Sequence, residues 1–145
     1  MSKSNTFETG FLNLVFTNAD LANIGDATGL RGSTTAGSLY ISLHTADPGE
    51  AGSPSTNEAT YTSYARVAVT RSGAAWTVSG NSATNAATVS FPACTGGSNT
   101  ITHFGVSTAS SGGTLLFKGA LTASLAVSSG ITPQFAASAL TVTED

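Results

Sequence analysis

His44, Asp47 and Glu50 fall in one short stretch, and their side chains are of the kinds that hold metal ions or pass protons. His103 offers a fourth such group from elsewhere in the chain. A metal centre needs several convergent ligands at fixed spacing, and acid/base work needs groups that face one another. This spacing supplies neither. Asp47 precedes Pro48-Gly49, a turn sequence in which a carboxylate bonds its own backbone. His44 ends one alternating run and His103 lies inside another, between Thr102 and Phe104. Both read as hydrogen-bonded structural histidines. No serine stands in the Gly-x-Ser-x-Gly setting of a nucleophile elbow. Cys94 is the only cysteine, so it can form no internal disulfide and no Cys-based metal site. It follows Phe91-Pro92-Ala93 and reads as a small buried hydrophobe. The glycine pairs at 96–97 and 112–113 lack the Lys-Ser/Thr of a phosphate loop and read as turns. No enzyme, cofactor or metal site is expected.

Tyr61, Tyr64 and Trp76 are the aromatic residues that would make a stacking platform for a sugar. In sheets such rings more often fill cores or subunit interfaces, and carbohydrate binding is the lesser expectation.

Composition bears on the same question. Only 13 of 145 residues are charged, against 20 Ser and 23 Thr. A soluble domain ordinarily has about a quarter of its residues charged. Charge this sparse does little to keep copies apart, and threonine suits a half-buried sheet surface. The surface of such a module is expected to be covered by neighbours in an assembly. A net charge of -3 and scattered Lys3, Arg31, Arg66, Arg71 and Lys118 exclude a nucleic-acid clamp. No apolar run approaches membrane-spanning length, and the N-terminus lacks a signal-peptide core. Synthesis in the cytoplasm is expected.

The elements that would carry these groups are mostly strands. Phe7, Phe11, Leu14 and Val15 recur at helical spacing, with Asn5 and Glu8 placed as a capping box. Gly10 costs that helix about 1 kcal/mol relative to alanine. Residues 26–37 form a Gly/Thr/Ser loop with Leu30 and Arg31 as its only bulky side chains. Period-two alternation then begins at Leu39, Ile41 and Leu43 and returns over Arg66–Arg71, at Trp76/Val78 and at Ala87/Val89/Phe91. Further runs follow at Ile101–Val106, Leu115–Phe117, Leu125/Val127 and Leu140/Val142. About eight short strands between turn signals predict an all-β fold: a single jelly-roll-like antiparallel β-sandwich with an N-terminal helix and arm. The expected division is an arm over 1–37 and a sandwich over 38–145.

Several stretches together resemble a family. Leu39-Tyr40-Ile41-Ser42-Leu43-His44-Thr45-Ala46-Asp47-Pro48-Gly49-Glu50, Tyr64-Ala65-Arg66-Val67-Ala68-Val69 and Ala87-Thr88-Val89-Ser90-Phe91-Pro92 come first. Ile101-Thr102-His103-Phe104-Gly105-Val106, the block from Gly113 to Leu121, and Phe135–Val142 follow in order. This ordered set resembles the small tailed-phage virion proteins commonly labelled phage tail fibre proteins. Near the C-terminus this chain has Ser138 where the resemblance leads one to expect glycine. The resemblance implies a virion structural role and carries no catalytic residue.

There is no internal repeat or heptad from which this chain would build a fibre shaft. The reading favoured by the sequence is therefore a capsid decoration or cement protein that stabilises the head shell. The alternatives are a tail-associated fibre base or adaptor, or a carbohydrate-binding attachment module. The expected partners are the major capsid protein or tail proteins of the same virion, and further copies of the chain. The expected interface residues are Phe7, Phe11, Leu14, Leu30, Arg31, Tyr61, Tyr64 and Trp76. Phe7, Phe11 and Leu14 would anchor the arm on a neighbouring subunit.

Overall fold

The computed structural model describes residues 2–144. Helix α1 (Asn5–Leu12) runs into a π-helical turn over Asn13–Thr17. The strands are β1 (Ser38–His44), β2 (Val67–Thr70), β3 (Trp76–Ser79), β4 (Ser82–Asn85), β5 (Val89–Ser90), β6 (Ser98–Ser107), β7 (Leu115–Ser128), β8 (Gln134–Phe135) and β9 (Thr141–Thr143). They form sheets in the orders β2-β1-β6-β7, β3-β4-β9 and β5-β8. β6 pairs antiparallel with both β1 and β7, and β4 does so with β3 and β9. This is the all-β class with a helical N-terminus that the alternation predicts.

The chain divides into two compact units. The first gathers the chain up to Ser38, Thr70–Thr88, and the segment from Phe135 onward. Its helix is capped by Ser4, whose Oγ accepts from the Phe7 N–H at 3.4 Å, while Glu8 N–H reaches the Ser4 carbonyl at 3.0 Å. The expected Asn5/Glu8 box is thus displaced by one residue, and Glu8 is buried in the first turn. Leu12 and Phe16, fully buried, set the face that packs inward. Gly10 has a packing reason: a Cβ there would lie 2.3 Å from Cδ1 of Leu21. Phe16 meets Trp76 edge-on, with ring centroids 4.7 Å apart at 63°. Ala83, Leu140 and Val142 complete the buried apolar set from β4 and the C-terminal segment.

The turn after Phe16 leaves carbonyls without helical partners. Arg71 collects them: its Nε donates to Val15 O and its Nη2 to Leu14 O, both at 2.6 Å, while Nη1 reaches Ala36 O at 3.1 Å. A second polar device is Asn85, which is fully buried. Its amide donates to the carbonyls of Ala87 and Ala136 at 2.8 Å, and its Oδ1 accepts from Leu140 N–H at 2.8 Å.

The second unit comprises Leu39–Val69 and Val89–Gln134. Ile41 and Leu43 of β1 are buried with Ile101 and Val106 of β6, as the alternation predicts. Ser42 and His44 point the other way, yet they are buried too. The inner part of β1 is therefore covered on both faces. β7 is a single strand where the sequence indicates two short ones. Its register explains the difference: Ile101 pairs with Leu125 but His103 pairs with Ala120, so Leu121–Ser124 bulge out opposite Thr102. The expected Ala87–Phe91 strand shortens to β5, and β4 and β8 have no counterpart in the sequence reading.

Candidate functional site

Buried polar side chains must find partners, and in β1 they find each other. The Thr56 carbonyl, 2.8 Å from Nδ1 of His44, can only accept, so Nδ1 carries the hydrogen. Nε2 is then the acceptor for the Ser42 hydroxyl, also at 2.8 Å. Chemically this is a serine beside a neutral imidazole base, but both groups are fully buried. Gly105 of β6 lies against them: a Cβ at that position would come within 2.6 Å of Ser42 Oγ and 2.8 Å of His44 Nε2. No substrate reaches a pair sealed by backbone. Burial holds the His44 pKa below the usual histidine value, opposed in part by the Thr56 carbonyl and by Glu58. The pair is a structural lock.

The acids near His44 in sequence turn elsewhere. Asp47 Oδ1 accepts from Gly49 N–H at 2.8 Å, the turn role expected of it. Lys118 Nζ then lies 3.1 Å from Asp47 Oδ1 and 3.0 Å from Glu50 Oε1. The Gly49 N–H and the ammonium hold the Asp47 carboxyl below its ordinary value, and the two acids hold the Lys118 pKa up. His103 stands opposite His44 in the β1/β6 register, with its Nδ1 2.9 Å from Thr102 Oγ1. Among the described residues, no three His, Cys, Asp or Glu side chains are grouped to hold a metal ion.

The aromatic residues do not form an exposed platform. Trp76 and Tyr61 are 1% and 3% exposed, and the Tyr61 hydroxyl donates to Pro92 O at 3.0 Å. Tyr64 is half-buried and meets Tyr61 edge-on at 72°. Its hydroxyl donates to Glu58 Oε1 and accepts from Leu43 N–H, both at 3.0 Å. Burial raises the pKa of both phenols. Trp76 and Tyr61 are packed inside and offer no face to a sugar, and the half-buried Tyr64 is held by Glu58 and Leu43.

Tyr64 belongs to a cluster that the sequence reading passes over. Arg66 grips Glu58 with two bonds, Nε to Oε1 at 2.6 Å and Nη2 to Oε2 at 2.8 Å. Its Nη1 donates to Ala109 O at 3.0 Å and Gly112 O at 2.8 Å, in the hairpin loop between β6 and β7. The Arg66 side chain is only 3% exposed. A usable signal was present: in a chain with five cations, Arg66 and Arg71 flank one alternating run. Charges retained at the ends of a strand in so neutral a sequence point to specific carbonyl and carboxylate partners.

Most of the groups that the sequence nominates for chemistry are thus engaged within the fold. Residues 2–143 match the family described as podophage GP4 fiber I protein gp80. The chain belongs to that family. No curated protein matches it. The resemblance to phage tail fibre proteins is borne out, and the fibre reading fits the match better than the head-decoration reading does.

The expected interface residues differ in how far they are exposed. Phe7 is 39% exposed and stacks on half-buried Phe11, with centroids 6.4 Å apart. Leu14 is half-buried and contributes its carbonyl to Arg71. Leu30 is 46% exposed, with its backbone bridged to Leu21, and Arg31 beside it is exposed. Among the described residues no helix is long and apolar enough to cross a membrane.

Proposed function

We propose that the chain is a non-enzymatic structural module of a tailed-phage fibre, acting at the fibre base or as an adaptor to the tail. The observation that carries this reading is the family match over residues 2–143. The internal chemistry supports it: the sealed Ser42–His44 pair and the Arg66–Glu58 grip brace loops. In the sequence, head decoration rests on the lack of a shaft repeat in this chain. A base or adaptor module needs no such repeat, so that argument does not weigh against the fibre. Its partners in this reading are tail proteins of the same virion and further copies of itself, and its place is the assembled particle.

The test is the copy number in purified virions, measured by quantitative mass spectrometry against the major capsid protein. A fibre component is present in small multiples of the tail symmetry. Hundreds of copies per particle would make it a shell protein and overturn the proposal.

A further inference from the structure

The sheet order β2-β1-β6-β7 leaves β7 with a hydrogen-bonded neighbour on one side only. By register, Ser42 of β1, Gly105 of β6 and Lys118 of β7 lie on one face. The loop that follows β1 folds over that face: the Thr56 carbonyl reaches His44, and Asp47 and Glu50 reach Lys118. At the margin of the sheet the loop leaves a groove of about 250 Å³ between the turn at 49–52 and residues 115–118. Gly49 and Gly52 contribute no side chains to fill it. Leu116, the extra residue of a bulge opposite Val106 and Ser107, stands 40% exposed beside it.

We propose that this groove docks a short extended segment of a different protein, which adds to the β7 edge and sets a lysine or arginine against Asp47 and Glu50. That the protein is another virion component rests on the fibre reading; the groove and its charge do not. A strand laid along β7 turns alternate side chains onto the face that carries Lys118, and so under the 49–52 turn. Charge selects what fits there. Asp47 and Glu50 share one ammonium, at 3.1 and 3.0 Å, so one negative charge is left over, and the Glu50 side chain is 94% exposed. A cation on the incoming strand balances that charge, whereas a carboxylate is repelled. A second copy has no such strand to offer: among the described residues, Lys118 is the only Lys or Arg in any strand. The bulges of β7 at Leu116 and across 121–124 leave 117–120 as the regular edge, so the docked segment is short.

The probes are two capped hexapeptides that alternate valine and threonine, one with a central lysine and one with a central glutamate. Each is titrated into the isotope-labelled full-length chain and followed by the amide NMR spectrum. The lysine peptide is expected to shift the amides of 117–120, Gly49 and Gly52 saturably, and to bind about fivefold tighter than the glutamate peptide. Glu50→Lys should reverse that preference, which a folding defect would not do, and the unshifted amides of the same spectra show that the fold is kept. No saturable shift at 117–120 in millimolar peptide overturns the proposal, as does equal binding of the two peptides to the native chain. Protection of 117–120 that grows when the chain alone is concentrated gives the edge to a second copy and overturns it too. Copy number in virions tests the fibre reading separately, since preference for the lysine peptide holds whether or not the chain is a fibre component.

Discussion

The Ser42 hydroxyl donates to Nε2 of His44 at 2.8 Å, two residues along β1, and neither side chain reaches solvent. The pair fixes the imidazole as neutral, since Nδ1–H is committed to the Thr56 carbonyl. Stability should therefore depend on pH in a definite direction. Burial lowers the folded-state pKa of His44, so below about 6.5 the unfolded chain binds a proton that the folded chain refuses. Stability is fully present above that pH and falls as pH drops through it toward the folded-state value. The slope from this group is at most about 1.4 kcal/mol per pH unit. Urea unfolding from pH 5 to 8 (a range set by the histidine titration, roughly centred on 6.5) measures it. His44→Gln keeps an acceptor and a donor and should flatten this part of the profile.

Arg66 and Glu58 predict a different pattern. Removing the guanidinium leaves the largely buried Glu58 carboxylate with only the Tyr64 hydroxyl and takes a donor from the Ala109 and Gly112 carbonyls, so Arg66→Ala should cost toward the lower end of about 3–5 kcal/mol. Glu58→Leu with Arg66→Met removes both charges and should cost less than the two single changes added together. A double-mutant cycle in denaturant reads the coupling directly.

Ser138 sits at φ 63°, in the left-handed region, at the position where resemblance to fibre proteins leads one to expect glycine. A non-glycine residue there costs about 1–2 kcal/mol in backbone strain, while glycine gives back part of that through unfolded-chain entropy. Ser138→Gly should raise stability by somewhat under about 1 kcal/mol, read as a higher denaturation midpoint with an unchanged m-value. Its N–H, bonded to Asn85 O at 2.8 Å, survives the change.

The parts of the fold legible in the sequence are those where side-chain period and burial coincide. Leu39, Ile41 and Leu43 announce β1, and Ile101 to Val106 announce most of β6. β4 is silent because Ser82-Ala83-Thr84-Asn85 offers only one apolar residue, yet pairing with β3 and β9 buries Ala83 and Asn85 completely. β7 reads as two strands because the bulge interrupts its alternation at Leu121–Ser124. The interface candidates divide on similar grounds. Phe7 and Leu30 are exposed, whereas Trp76 and Tyr61 serve cores, a distinction that ring identity alone does not carry. Arg66 and Arg71 signal by their place at the ends of one run that they have partners, but which partners they and Asn85 take is not legible, since these are mostly backbone carbonyls that no local motif encodes.

Phe16 and Trp76 separate two costs that are often confounded. Phe16 is fully buried edge-on to Trp76, so Phe16→Ala leaves a cavity and should cost about 3–5 kcal/mol. Trp76 differs: among the described residues its buried Nε1–H has no hydrogen-bond partner, and the desolvation penalty of such a group is about 1–3 kcal/mol. Trp76→Phe loses ring volume but also removes that orphan donor, so the two effects oppose each other. The expected result is a loss well below that of Phe16→Ala, although tryptophan is the larger side chain. Thermal and urea unfolding of both variants decide the matter. A Trp76→Phe cost equal to or above that of Phe16→Ala would mean that the indole N–H has an acceptor in solution, such as a trapped water.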